Sequence, residues 1–407
     1  MLAPYRAVLG IPGALAFSAA GLLARAEIAM VGLGCVLLVH AGTGSYALGG
    51  AVAAAYGVSH AVVSPLVARL VDRFGQAAVL RPAVLLHAAG LLALAAAGTA
   101  GAHPAVLLAL AIVAGVSEVG AGSLVRARWA ALLSGSPKLQ TAFALESVLD
   151  ETVFIVGPLV VTVLATAVHP ASGLVLAAVT AIAGAMLLAG RRSTQPPLRL
   201  DRDLRGAGGR GSRTALGAPG MVVLVLVFLA AGGIFGSAEV AVVATTGQAG
   251  VPAAAGLVLA LWAAGSLLSG LIYGAIDWRS GLVRRFAICS VLLALLTAPM
   301  ALVVPVPVLA VVFFAAGVAI APTITTGSAL VEAVVPPWRL TEGFAWTNTA
   351  LSLTYSLGTA SAGAVADASG GHTALLIPVG CAVATAVVAL LGARRLLAGT
   401  RAAAPTI

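Results

Sequence analysis

Five carboxylates interrupt stretches of this sequence that are otherwise almost wholly apolar: Glu27, Glu118, Glu146, Asp150 and Glu239. A charge held at bilayer depth costs roughly 2.5–3.5 kcal/mol by insertion scales, so it is normally paired or faces a water-filled cavity. A carboxyl group in such a place can bind a proton and release it again. Proton transfer is therefore the chemistry that these residues suggest first.

The composition predicts a membrane protein. The chain has 407 residues, of which 61% are hydrophobic and 9% are charged, and its mean hydropathy is +1.10. Soluble domains are not this apolar, and a helix needs about 20 mostly apolar residues to cross a bilayer. We predict an all-α integral membrane protein with twelve transmembrane segments. Segments 1 to 12 are 9–40, 45–70, 82–100, 105–127, 139–167, 172–190, 218–246, 252–276, 284–304, 308–333, 342–366 and 373–393.

The basic residues predict the orientation. The net charge is +9, and all but one of the 22 Lys and Arg residues fall at the N-terminus, in or within two residues of every second connection, or in the C-terminal tail. The opposite connections contain no Lys or Arg. By the positive-inside rule, this distribution predicts a multi-pass protein of the inner (plasma) membrane whose two termini both face the cytoplasm. This distribution accounts for the positive charge without a nucleic-acid partner.

The chain divides into two similar halves. Residues 191–217 form the only long polar stretch and predict a cytoplasmic linker between six-helix bundles at 1–190 and 218–393, with a cytoplasmic tail at 394–407. Paired repeats of this kind often build transporters, with the substrate site near the midplane where the repeats meet. The repeated stretches are RAEIAMV (25–31) and SAEVAVV (237–243), SPLVARLVDRFG (64–75) and SGLIYGAIDWRS (269–280), and FALESVLDETVFIVG (143–157) and FAWTNTALSLTYSLG (344–358).

The connection after segment 2 carries the most specific motif. Asp72, Arg73 and Gly75 match a Gly-x-x-x-Asp-Arg-x-Gly-Arg pattern whose first Gly and last Arg are replaced, and Asp277 repeats the acid after segment 8. With six plus six segments and a basic linker, the chain resembles the major facilitator superfamily, in its drug- and metabolite-efflux branch. The resemblance covers the whole chain and implies a monomer of two pseudo-symmetric six-helix bundles.

The resemblance also implies a role for this motif. Asp72 would lie at the start of segment 11, near Thr341, where the partial positive charge of a helix N-terminus favours a carboxylate. Arg126 or Arg128, at the end of segment 4, would pair with it. Such contacts would close the cytoplasmic side, and the alternative is that these are ordinary turn residues. The residues of this predicted cytoplasmic latch are Asp72, Arg73, Gly75, Arg126, Arg128 and Asp277.

The resemblance further implies that segments 1, 4, 7 and 10 line a central cavity. Glu27 and Glu239 occupy equivalent places in the two halves, so they could face this cavity from opposite sides, with Glu118 as a further candidate on segment 4. A carboxyl group there could load and release a proton as the site alternates between the two sides. The alternative is a structural glutamate bonded within its own half. His60 and His87 also lie within segments, where a satisfied buried histidine is commoner than a proton carrier.

Arg25 is the one basic residue that lies inside a segment more than two residues from its ends. It does not face Glu27, because residues i and i+2 point to different sides of a helix. Glu146 and Asp150 lie four residues apart on segment 5 and share a face. We therefore expect Arg25 to pair with Asp150 or Glu146 within the first half, either as a structural element or as part of a proton relay.

These residues predict a secondary transporter that exports small organic molecules by alternating access, with protons as the coupling ion and the lipid bilayer as its surroundings. The chain contains no clustered catalytic motif and no metal-ligand spacing, and GAGGRG at 206–211 matches GxGxxG only by chance, since no strand precedes it. We therefore predict neither an enzyme nor a bound cofactor. The alternatives are a facilitator or importer of a metabolite such as a sugar, a membrane-embedded enzyme, and a transport-like sensor.

The orientation can be tested with C-terminal fusions. We expect a fluorescent protein that matures only in the cytoplasm to fluoresce when fused after Ile407, and a periplasmic alkaline phosphatase at the same place to stay inactive. Fusions after Gly42, in a connection without Lys or Arg, serve as the matched control and should behave in the opposite way. An active phosphatase at the C-terminus would contradict the predicted orientation.

Overall fold

The structure is a computed structural model that describes residues 3–133, 136, 138–196, 215–276, 278, 280–302, 305–335 and 340–403. All regular secondary structure in these ranges is helical. Most of the predicted linker, residues 197–214, lies outside them, as do Asp277 and the side chains of Asp72 and Thr341.

The first half of the chain forms helices α1 to α9 in its described part. Their long apolar runs explain why they are helices, since only internal backbone hydrogen bonds are available within a bilayer. The helices are α1 Ala3–Leu9, α2 Ala14–Arg25, α3 Ile28–Thr43, α4 Tyr46–Phe74, α5 Gln76–Thr99, α6 Pro104–Ser117, α7 Ala121–Leu132, α8 Lys138–Ala167 and α9 Ser172–Gly190.

The second half forms helices α10 to α16 in its described part. The last of them continues well past the predicted end of segment 12 at residue 393, so much of the predicted tail is helical. The helices are α10 Met221–Gln248, α11 Ala254–Ala275, α12 Leu282–Thr297, α13 Val306–Val334, α14 Leu340–Ser369, α15 Gly371–Ala374 and α16 Leu376–Ala403.

The helices agree with the predicted transmembrane segments. Eleven spans in the described part of the chain are long and apolar enough to cross a membrane. The remaining predicted segment, segment 11 at 342–366, corresponds to α14, a helix of 30 residues. The all-α membrane fold predicted from the sequence is therefore confirmed.

Two predicted segments are not continuous helices. Segment 1 is divided into α2 and α3 at residues 26–27, and segment 4 is divided into α6 and α7 at residues 118–120. Each of the two still forms one apolar membrane span, as the sequence predicts, and the interruption lies inside it. At the first break, Arg25 and Glu27 turn to partners on different helices, and at the second Glu118 takes an extended backbone with ψ 134°. Hydropathy does not register such breaks, because it sums residue types and not the directions of side chains.

The described helices fall into two compact units. The first unit is Met1–Gly44 with Ala55–Arg210, and the second is Ser45–Ala54 with Gly211–Ile407. In the first unit, Phe17 packs edge to face on Trp129, with 4.7 Å between ring centroids. In the second, α10 packs along α14 and α16, and a buried apolar cluster forms around Phe286.

Glycine makes the contact between α10 and α14 possible. A Cβ on Gly236 would clash with the carbonyl oxygen of Tyr355, and a Cβ on Gly232 would clash with that of Leu351, because both distances are shorter than those between non-bonded atoms in proteins. The two backbones therefore touch directly, as is common between membrane helices.

We expect Gly236→Ala to force α10 and α14 apart and to destabilise the protein by roughly 1–3 kcal/mol, the usual cost of overpacking. Thermal unfolding of purified protein in detergent measures this loss. Gly380→Ala in α16 is the matched control, because a Cβ there meets no atom within 4 Å. Equal losses from the two substitutions would contradict the packing argument.

Candidate functional site

Glu27 and His87 face each other inside the first unit. Oε2 of Glu27 lies 2.5 Å from Nε2 of His87, and the two side chains are 8% and 1% exposed. Glu27 lies at the turn between α2 and α3, and His87 lies on α5. The other ring nitrogen, Nδ1, lies 2.8 Å from the carbonyl oxygen of Ala114 on α6.

The partners of His87 determine where its protons are. A carbonyl oxygen only accepts hydrogen bonds, so Nδ1 of His87 carries a proton. The contact between Nε2 and Glu27 needs one further proton, held by the imidazolium or by the carboxylic acid, because two lone pairs at 2.5 Å would repel each other. The pair therefore holds a proton between two titratable groups.

A second carboxylate lies in the same unit. Glu118, at the break between α6 and α7, accepts a hydrogen bond of 2.7 Å from the hydroxyl group of Tyr56. Nδ1 of His60 lies 3.2 Å from the same carboxylate oxygen, and His60 is 25% exposed. The rings of Tyr56 and His87 are 6.1 Å apart between centroids. We call Glu27, Tyr56, His60, His87 and Glu118 the acid–histidine cluster.

A small cavity in the first unit borders this cluster. Glu27, His87 and Ser117 line it, together with apolar side chains that include Leu80 and Val84. A buried water needs polar partners of this kind.

Arg25 has the partners that the sequence predicts. Its Nη2 pairs with Glu146, and its Nε lies 3.1 Å from Oδ1 of Asp150. Glu146 is fully buried and also accepts hydrogen bonds from the Ser18 hydroxyl at 2.7 Å and the Trp129 indole at 2.8 Å. These residues belong to α2, α7 and α8, so the network ties three helices together.

The two arginines predicted to pair with Asp72 have other partners in the first unit. Nη2 of Arg126 lies 2.5 Å from Oδ2 of Asp150. Arg128 is buried and donates hydrogen bonds to Oε1 of Gln76 at 2.7 Å and to the carbonyl oxygen of Leu188 at 2.9 Å. Both arginines therefore have described partners other than Asp72. The cytoplasmic latch stays a prediction.

The turn that carries the motif needs glycine. Gly75 precedes α5 with φ 87°, a backbone conformation that other residues rarely adopt. The neighbouring Arg73 places its guanidinium group over the ring of Phe74, 5.2 Å from the ring centroid.

Glu239 has a different kind of partner in the second unit. It lies on α10 and accepts a hydrogen bond from the hydroxyl group of Tyr355 on α14. A phenol donates a hydrogen bond to a carboxylate without neutralising its charge. Glu27 and Glu239, which the sequence repeat makes equivalent, each have a partner within their own unit. That they face a central cavity stays a prediction.

A comparison with protein-family models matches residues 13–248 to the Major Facilitator Superfamily. The match covers more than half of the chain. This chain belongs to the Major Facilitator Superfamily. Membership in this superfamily indicates a multi-pass membrane transporter. A comparison with curated protein sequences finds no match.

Solved transporter structures share the superfamily fold. The nucleoside transporter NupG superposes with a TM-score of 0.70 at 15% identity, covering 93% of this chain and 98% of its own. The human organic anion transporter MFSD10 (TETRAN) gives 0.62 at 18% identity, with coverages of 94% and 98%. The POT family transporter PepTSo gives 0.70 at 13% identity, with coverages of 95% and 98%. At these identities the likeness establishes the fold.

The sequence did not identify His87 as the partner of Glu27. The two residues lie 60 positions apart on different helices, and nothing in the spacing links them. A weaker signal was present, because His87 is the only titratable residue in segment 3. Tyr56 was not singled out at all, since a tyrosine in an apolar segment is usually packing.

We expect Arg25→Met to destabilise the protein by roughly 3–5 kcal/mol, because it leaves the buried Glu146 without its counter-charge. The double substitution Arg25→Met with Glu146→Gln should recover part of this loss. Arg126→Met is the matched control: Arg126 is 41% exposed, and exposed pairs contribute roughly 0–1 kcal/mol. Thermal unfolding in detergent measures all three variants. Equal effects at Arg25 and Arg126 would contradict a buried charge network.

Proposed function

We propose that this protein is a secondary transporter that exports small organic molecules in exchange for protons, and that the Glu27–His87 pair carries the proton. One observation carries the proposal. A carboxyl group and an imidazole meet at 2.5 Å in a buried site, and the other ring nitrogen is bound to a carbonyl oxygen. Such a pair needs a proton to stay together, so its structure depends on its proton.

The position of Glu27 lets loss of the proton act on the backbone. Glu27 lies at the interruption between α2 and α3, where the ends of the two helices are not held by one continuous hydrogen-bond ladder. Repulsion between a carboxylate and a neutral imidazole would separate Glu27 from α5. Interrupted membrane helices frequently form ion and substrate sites in transporters for this reason.

The rest of the acid–histidine cluster supports a route for the proton. His60 is 25% exposed and lies 3.2 Å from Glu118, which shares the cluster with Tyr56 and His87. Chains of Asp, Glu and His residues are the usual proton relays of membrane transporters. The second helix break at Glu118 gives this acid the same freedom as Glu27.

The surroundings of Glu239 favour a substrate that is neutral or cationic. Its described hydrogen-bond partner, Tyr355, leaves the charge of a carboxylate uncompensated. An organic cation bound beside Glu239 would neutralise that charge, while the Glu27–His87 pair carries the proton.

The proposal is tested by flux measurements in proteoliposomes. A thermal-shift screen of purified protein against a chemically broad panel first provides a transported compound. We expect the compound to move faster across the vesicle membrane when a pH gradient is imposed that drives protons in the opposite direction. Glu27→Gln should reduce that acceleration on the order of tenfold or more, because a glutamine amide does not gain or lose a proton at physiological pH. Exchange of labelled for unlabelled compound without a gradient should persist in the variant.

Glu332→Gln is the matched control, because Glu332 is an exposed residue near the end of α13. It should keep the acceleration. If the unaltered protein transports the compound at the same rate with and without the pH gradient, proton coupling is contradicted and the protein is a facilitator. Conversion of the compound to a new product would contradict transport itself and identify an enzyme.

A further inference from the structure

An open cavity lies in the first unit, where the turn after α9 approaches the start of α5. Its volume is about 610 Å³, which is within the usual range of small-molecule sites. Arg81 of α5 and Arg192 of the turn line it, together with Gln195 and apolar side chains that include Phe74. None of the described residues that line it is acidic. The cavity therefore offers positive charge beside an apolar wall.

Both arginines are available to a ligand. Arg81 and Arg192 are exposed, and neither side chain makes a hydrogen bond or an ion pair within the described part of the chain. By contrast, Arg25, Arg126 and Arg128 of the same unit all have partners. A free guanidinium group presents N–H donors that match the oxygens of a phosphate group.

The turn that carries Arg192 is fixed by the interior of the unit. The buried Arg128 donates hydrogen bonds of 2.8 Å to the carbonyl oxygen of Arg191 and to the hydroxyl group of Thr194. The side chain of Gln195 accepts a hydrogen bond of 3.4 Å from the backbone of α5. Arg192 thus lies between two anchored residues, so the fold itself holds it near α5.

The face of α5 that continues from Arg81 is apolar and exposed. Leu85 and Leu92 follow Arg81 by about one and three helical turns, so the three residues share one face of the helix. The two leucines are 53% and 42% exposed. Because α5 is long and apolar enough to cross a bilayer, such a face contacts acyl chains. The charged cavity is therefore continuous with a lipid-facing surface.

We propose that this cavity binds the phosphate group of an anionic phospholipid, whose acyl chains lie along the exposed face of α5. Arg81 and Arg192 bind the phosphate oxygens. Basic pockets beside spanning helices on the cytoplasmic side bind lipid headgroups in this way, and the predicted orientation puts the start of α5 on that side. A zwitterionic headgroup fits less well, because its ammonium group would lie among arginines. The inference does not depend on the proposed proton exchange.

Native mass spectrometry of protein purified in detergent measures the binding directly. Phosphatidylglycerol and phosphatidylcholine with the same acyl chains are the probes. We expect phosphatidylglycerol to bind roughly tenfold more tightly, because each arginine near the membrane surface favours an anionic lipid. Equal binding of the two lipids would overturn the proposal.

The double substitution Arg81→Gln with Arg192→Gln tests the place of binding. It should lower the affinity for phosphatidylglycerol roughly to that for phosphatidylcholine. Arg191→Gln with Arg284→Gln is the matched control, because it removes the same charge from two exposed arginines that do not line the cavity. Thermal unfolding without lipid checks that both variants fold. A preference for phosphatidylglycerol that survives in the first variant, or falls equally in the control, would overturn the site.

Glycerol 3-phosphate, which has a phosphate group but no acyl chain, distinguishes a lipid from a soluble phosphate compound. A ligand that binds only the folded protein raises its unfolding temperature. We expect phosphatidylglycerol to raise it in the unaltered protein, and glycerol 3-phosphate at the same concentration to leave it unchanged, because only the lipid contacts Leu85 and Leu92. An equal rise with both compounds would assign the cavity to a soluble phosphate and overturn the lipid.

Discussion

A bilayer has no water in its interior, so each charged side chain placed there needs a partner, and the described structure follows from that constraint. The partner decides what an acid can do. An arginine keeps its proton under all physiological conditions, so its pair with a carboxylate is permanent. An imidazole gains and loses a proton near neutral pH, so its pair is conditional. The acids and their partners are Glu146 with Arg25, Glu27 with His87, Glu118 with Tyr56, and Glu239 with Tyr355.

In the first unit, the permanent Arg25–Glu146 pair and the conditional Glu27–His87 pair lie next to each other at one helix break. Arg25 ends α2 and is fixed to Glu146 on α8, whereas Glu27 lies within the break and meets His87 on α5. The ion pair holds the end of α2 in place. Under the proposed function, loss of the proton at Glu27 would move the start of α3 and leave α2 in place. The anchored pair beside the titratable pair would then convert a change in protonation into a change in backbone position.

The sequence predicted the parts of this arrangement that depend on local pattern. The apolar runs gave the transmembrane segments, and the i, i+4 spacing of Glu146 and Asp150 gave the partners of Arg25, because helical periodicity places both on one face. It did not give His87, since a contact between two helices leaves no spacing in a single sequence. The helix breaks at 26–27 and 118–120 were missed for the same reason: they serve side chains whose partners lie far away along the chain.

The central claim is that Glu27 and His87 share an exchangeable proton. Its most direct test is proton release from purified protein in weakly buffered detergent, followed with a pH indicator while a transported compound is added. The account predicts that binding releases protons from the unaltered protein, and that Glu27→Gln and His87→Asn each abolish the release while the compound still binds by thermal shift. Undiminished proton release from both variants would contradict it.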